Sequence, residues 1–329
     1  MKRIVKPMFL TIMAAGAVLS ASAADWRVTV GAESPDRGSQ ALAFLPNEIW
    51  IHAGDSIHWS FPTHERHTLS FLMPGQTRPP GFGPVFGIPV GCPGVTPDGS
   101  SFDGSACVTT GINDDPSTPI YTIRFPSPGN FKFVCLLHAD MTGLVHSLNV
   151  SEPLPHDQVY YDRIVQNERA HLLSNASRLR GSAEEGESGQ VAAGVGIVLT
   201  TSGAGSSTAS LMRFLTRMIV VSVGDTVEWT SLDPSINHTV TFGTEPADPR
   251  PPSAGVTATA DGARQAIITS QADNVNSGFL SPAPQEKAGL PLAPPGVTRF
   301  RVTFHAPGTF NYICAVHDQL GMKGTVLVH

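Results

Sequence analysis

Apolar and polar residues alternate around Ile49, Ile51, Ile57 and Trp59, and again around Val221, Val223, Val227 and Trp229. A period of two puts one row of side chains in a core and the other toward water, so both stretches predict half-buried strands. Gly54-Asp55 and Gly224-Asp225 break the runs where the chain turns between successive strands. Many short strands of this kind predict an all-β chain built from antiparallel sandwiches with Greek-key connections. One segment departs from that period. Between His156 and Arg180, the residues Val159, Tyr160, Ile164, Val165, Leu172, Leu173, Ala176 and Leu179 recur at helical intervals, which predicts an amphipathic helix. Its polar face, with Asp162, Arg163, Glu168 and Arg169, is not strongly basic, so packing on a domain or a neighbouring subunit is expected rather than membrane binding. Gly181 to Gly189 reads as a flexible acidic linker.

The alternating pattern is repeated. Phe44 to Trp59 matches Phe214 to Trp229 without a gap, His67-Thr68-Leu69-Ser70-Phe71 matches His238 to Phe242, and Pro128 to His138 matches Pro307 to His317. An internal repeat of this length predicts two copies of one fold. The division expected is a leader over 1–24, a first domain over 25–152, a helical segment and linker over 153–190, and a second domain over 191–329.

The chemistry lies at the ends of the two copies. Cys314-Ala315-Val316-His317-Asp318-Gln319-Leu320-Gly321-Met322 offers a thiolate, an imidazole and a thioether within nine positions. Soft sulfur with borderline nitrogen selects copper, and a trigonal His2Cys set with a weak axial Met is an electron-transfer site. The second imidazole is expected from His238, shortly after Val223-Gly224-Asp225-Thr226-Val227-Glu228-Trp229. Taken together, Gly-Asp-Thr-Val-x-Trp, His-Thr-Val-x-Phe and Pro-Gly-x-Phe-x-Tyr-x-Cys-x-x-His-x-x-x-x-Met resemble the cupredoxin family over about 211 to 329, with a plastocyanin-like terminal spacing. In the first copy Met141 follows at Cys-x-x-His-x-x-Met, an amicyanin-like spacing, and Met141 to Val145 matches Met322 to Val326. The resemblance implies two Greek-key β-sandwich cupredoxin domains joined by a helical linker, each with one type 1 copper. The ligands it implies are His67, Cys135, His138 and Met141 in one site, and His238, Cys314, His317 and Met322 in the other. In the family, the amide after the first His points at the Cys sulfur. Thr68 and Thr239 stand at that position, where Asn is common.

Other histidines lack this context. His64 precedes His67 by three residues and has no partner in the second copy, His52 and His58 are expected to face solvent, and His146, His156, His171, His305 and His329 are expected to be structural or exposed. Both copies carry a long insertion between the first His and the Cys, residues 72–120 and 243–298. These could cover the copper sites, form the contact between domains or bind a partner. Cys92 and Cys107 bracket fourteen residues inside the first insertion and are expected to form a disulfide, with a stabilisation of roughly 3 kcal/mol in the chain-entropy model.

Lys2, Arg3 and Lys6 precede the apolar run Met8 to Leu19, and Ala21-Ser22-Ala23 follows, which reads as a cleavable secretory signal and predicts a periplasmic or secreted protein. Without residues 1–24 the charge is 18 − 27 = −9. Such a chain has no basic footprint for nucleic acid and no membrane anchor, and its acidic surface could steer a positively charged redox protein. The oligomeric state is left open. The function expected is one-electron transfer without substrate turnover, with electrons passing through the exposed edge of His138 or His317. Two alternatives stand beside it. One is a two-domain copper enzyme related to nitrite reductases or multicopper oxidases, although the sequence has no His-x-His pair and Val134 and Ile313, not His, precede the cysteines. The other is copper storage or delivery.

Overall fold

Ser39–Leu45 is buried at every position, and Ser206–Leu215 at all but its first. Neither alternates as a strand with one wet face would. The computed structural model, which describes residues 23–73, 87–89, 92–113, 115–117, 120–183, 189–200, 205–281 and 296–329, shows why. The two strands pair antiparallel with each other, Gln40 opposite Ser210 and Ala41 opposite Ala209. The repeats are offset by 170 positions (214 − 44), so Gln40 and Ser210 are equivalent residues, and a local two-fold axis between them relates the two halves.

That pairing fuses one sheet from each half into a single eleven-stranded sheet with Ser206–Leu215 and Ser39–Leu45 at its middle. Each half is closed by its own five-stranded sheet. In the first, Glu48–His52, Thr142–Leu148, Gly129–Val134, Ser70–Phe71 and Val108–Thr109 lie in that order. In the second the order is Met218–Val221, Lys323–Val328, Gly308–Ile313, Thr241–Phe242 and Val275–Asn276. The all-β, two-sandwich architecture is therefore as the alternation predicts. Gly54 and Gly224 have φ of +102° and +94°, a region that favours glycine. Their turns carry the chain from one sheet to the other, since Glu48–His52 and Ser56–Ser60 lie in different sheets. Trp59 and Trp229, equivalent in the repeat, are fully buried at the centres of the two cores.

The helix Gln158–Ala183 lies over the junction. Leu172 and Ala176 pack with Ala32, Ala41, Ala43 and Leu45 of the first domain and with Ala209 of the second. Four alanines on the strands let the helix approach closely, and it clamps both halves at once. Residues 181–183, expected in the linker, are its last turn, and 184–188 lie outside the described residues. So does the leader, apart from Ala23 and Ala24. Cys92 and Cys107 form the expected disulfide. No described helix is long and apolar enough to cross a membrane.

Part of the junction is apolar, and a buried guanidinium stands beside that part. Met212, Ile236 and Leu320 of the second half belong to the core of the first. Beside them, Arg213 Nη1 donates to the carbonyls of Leu320 (2.6 Å) and Met212 (2.7 Å), and Nη2 to that of Asp36 (2.6 Å). Arg213→Ala would leave these carbonyls without their donor. Loss of charged hydrogen bonds with buried acceptors left over is expected to cost about 2–4 kcal/mol, read as a lower midpoint in chemical denaturation, and an unchanged midpoint would show that the junction does not depend on this residue.

Candidate metal centres

The strand Gly308–Ile313 delivers Cys314, and the loop after it folds back on its own backbone. Cys314 N donates to Met322 O (3.0 Å) and Met322 N to His317 O (3.2 Å); Cys135 N to Met141 O (3.0 Å) and Met141 N to His138 O (3.2 Å) repeat the frame in the first domain. The two extra residues of the second loop are absorbed by the short 3-10 turn Asp318–Leu320 and by Gly321 at φ +88°. Two spacings thus close in the same way.

The first histidine of each site is clamped by the insertion. His67 N donates to Asn113 O (2.9 Å) and accepts at its carbonyl from Asn113 N (2.8 Å), while His238 exchanges the same pair of bonds with Leu280 (3.1 and 2.7 Å). Nearby, Val108–Thr109 and Val275–Asn276 extend the five-stranded sheets beside Ser70–Phe71 and Thr241–Phe242. The described parts of the insertions therefore brace the sites. On the other side of each ring stands a glycine in a bulge of the opposing strand, Gly31 at φ +77° and Gly194 at φ +74°. A Cβ on Gly31 would lie 2.5 Å from His67 Nε2, and one on Gly194 would lie 2.1 Å from His238 Nε2.

These elements bring His67, Cys135 and His138 together, and likewise His238, Cys314 and His317, with the nitrogen and sulfur atoms of each triad within 4.8 Å of one another. Cys135 Sγ is 3.5 Å from His138 Nδ1, and Cys314 Sγ is 3.3 Å from His317 Nδ1 and 3.9 Å from His238 Nδ1. All six residues are buried, and Met141 and Met322 are fully so, each in its domain's core cluster with the cysteine. Neither ring nitrogen of His67 has a hydrogen-bond partner, which is costly for a buried polar group unless something else takes the lone pair. Burial pushes both thiols up, but the facing imidazoles outweigh it and hold Cys135 and Cys314 well below the usual thiol range. Thiolate, imidazole and a dry pocket make a donor set that fits copper.

Thr68 N and Thr239 N donate to the cysteine sulfurs at 3.4 and 3.3 Å, as the resemblance implies. Their hydroxyls accept from Leu136 N (2.8 Å) and Ala315 N (2.7 Å), so each threonine ties the first-histidine segment to the residue after the cysteine. The departure from Asn leaves that tie in place.

The other histidines stand apart from the triads. His64 Nδ1 pairs with Glu33 at 2.8 Å. His52 and His58, expected to face solvent, are half-buried and held by Glu152 O and by Thr122 and Asp25. One expectation is overturned more fully. The edges of His138 and His317 are not open to solvent, for the residues are 2% and 4% exposed. The domain junction covers both, and Glu65 lies between them, its Oε1 3.3 Å from His138 Nε2 and its Oε2 3.5 Å from His317 Nε2. Burial pushes the Glu65 carboxyl up, but His317 and His138 outweigh it and hold it well below the usual range. Sequence reasoning missed Glu65, and also Gly31 and Gly194. The available signal was a carboxylate two residues before His67 where the second copy has Ile236.

The family of copper binding proteins, plastocyanin/azurin, has a model that matches residues 201–329. Residues 201–329 are thus similar to copper-binding domains of that family, and the first domain repeats the arrangement of strands and the His-Cys-His group. Among solved structures, oxidized plastocyanin from Dryopteris crassirhizoma is 22% identical, with 43% of this chain and 99% of that one covered and a TM-score of 0.24. A purple cupredoxin from Nitrosopumilus maritimus is 18% identical over 44% of this chain and 100% of its own, with a TM-score of 0.21. Pseudoazurin from Methylobacterium extorquens AM1 is 18% identical over 46% and 98%, with a TM-score of 0.23. Among curated proteins none matches the chain.

Proposed function

We propose that this is an exported electron-transfer protein that carries one type 1 copper in each domain and exchanges electrons with another redox protein. The observation that carries the reading is the pair of buried His-Cys-His groups, His67, Cys135, His138 and His238, Cys314, His317, each with its donor atoms within 4.8 Å of one another and a buried Met on the same loop. Copper held there supplies a Cu(I)/Cu(II) couple. The chain supplies rigidity: each thiolate is fixed by a threonine amide, and each ligand loop is closed by the same two backbone bonds. A frame of this kind serves both oxidation states with little rearrangement. Export rests on the leader read in residues 1–24, and the partner on the acidic charge of the mature chain. Burial of the two histidine edges turns the route to that partner away from a solvent-facing imidazole and toward the ligand-loop backbone, where Gln319 is exposed.

The test is metal analysis of the copper-loaded mature protein with its visible and electron paramagnetic resonance spectra. Two coppers per chain, both with the type 1 signature, are expected. An additional type 2 signal, or turnover with nitrite or oxygen, would replace the carrier reading with an enzymatic one.

A further inference from the structure

Burying a carboxylate costs several kcal/mol unless its charge is met by partners in good geometry. The Glu65 side chain is 5% exposed, and the groups that meet it are rings from both metal centres, His138 from its own domain and His317 from the other. Each ring turns Nδ1 toward its own cysteine sulfur, at 3.5 and 3.3 Å. That leaves Nε2 of each ring facing Glu65: His138 Nε2 is hydrogen-bonded to Oε1 at 3.3 Å, and His317 Nε2 stands at ion-pair distance from Oε2, 3.5 Å, an oxygen that has no hydrogen-bond partner. The arrangement is not required by the repeat. The residue two before the first histidine of the second domain is Ile236, which packs in the apolar junction, so a single carboxylate near the local two-fold axis serves both sites. The continuous sheet, the helix across the junction and Arg213 hold the two halves in the one relation that permits this.

We propose that Glu65 is a positioning residue shared by both centres, and that its carboxylate, set between one ring of each across the domain junction, couples them into a pair that exchanges an electron within the molecule. The inference rests on the reading that both triads hold copper. In the exchange one electron leaves the centre at Cys135 and arrives at the centre at Cys314, or the reverse; one is oxidised, the other reduced, both Nε2–H protons stay in place, and no bond forms or breaks. An anion beside two cationic centres favours the more highly charged state of each. By linkage, whatever bias the oxidation state of one centre exerts on the other through this bridge is returned equally.

The experiment is a redox titration of the full copper-loaded chain, followed by the charge-transfer absorption, for the wild type and Glu65→Gln. Both midpoints are expected to rise together in Glu65→Gln. A rise confined to the Cys135 centre, with the Cys314 centre unmoved, would overturn the shared role. Copper analysis comes first: fewer than two coppers in the wild type overturns the two-copper reading and the coupling with it, whereas two coppers with an unmoved second midpoint overturns the coupling alone. Should the Gln chain fail to fold, Glu65→Asp keeps the charge but is one methylene short of spanning both rings. In the diamagnetic Cu(I) protein, the wild type is expected to show exchange-protected Nε2–H resonances for both His138 and His317, and Glu65→Asp to lose protection at one or both. Two protected resonances in Glu65→Asp, or none in the wild type, would contradict the bridge.

Discussion

Cys314→Ala is expected to abolish the thiolate-to-copper charge-transfer colour of the second centre and leave that of the first intact, and Cys135→Ala is expected to do the reverse. Each triad contains one sulfur anion, and the described residues hold no other free cysteine. The remaining two imidazoles and a thioether cannot give a thiolate band, whatever copper they retain. The loss should therefore be complete at the affected site and about half of the total signal. The fold is expected to survive with a modest penalty. Thr239 N, now donating to Cys314 Sγ at 3.3 Å, loses its acceptor, and an unpaired buried donor costs about 1–3 kcal/mol. Copper analysis and paramagnetic resonance on both variants check the outcome. Full signal in either one would mean that its cysteine is not a ligand.

The reach of sequence reasoning differs between the fold and the sites. Strand alternation and the ungapped repeat made both sandwiches legible, because Ile49, Ile51, Val227 and Trp229 carry the period of two in their own side chains. The His-Cys-His groups were legible for a related reason, since a ligand loop is local in sequence and its spacing is its geometry. What stayed hidden is contact across the local two-fold axis. Ser39–Leu45 and Ser206–Leu215 are buried on both faces although Gln40, Ser207, Thr208, Ser210 and Arg213 interrupt their apolar positions, so their sequences do not say that they are covered, or by what. Nothing in the neighbourhood of Glu65 points to His317, more than two hundred residues away. Arg213 likewise reads as a surface cation until Leu320 and Asp36 are seen beside it. The glycines were overlooked because a glycine in a strand pattern does not reveal which side chain presses on it.

Gly194→Ala is expected to disable the second centre while keeping every ligand. Gly194 has φ of +74°, where an L side chain costs about 1–2 kcal/mol. Its new methyl would lie 2.1 Å from His238 Nε2, 2.6 Å from Cδ2 and 2.7 Å from Cε1. His238 cannot easily retreat: its backbone is paired with Leu280 on both sides, and the ring is fully buried. The ring must tilt or the bulge must open, adding the roughly 1–3 kcal/mol typical of overpacking. Weaker copper retention and an altered spectrum are expected at this centre, with the Cys135 centre unchanged. Gly224→Ala is the control. Its φ of +94° imposes comparable backbone strain, yet a Cβ there meets nothing within 4 Å, so it should lower stability without touching either spectrum. An unaltered second centre in Gly194→Ala would mean that the close approach of the bulge does not fix His238. Altered spectra in both variants would assign the effect to general destabilisation instead. The expected split, one glycine felt at the metal and the other only in the denaturation midpoint, would place the first strand of the domain, which contributes no ligand, among the elements that set the copper geometry.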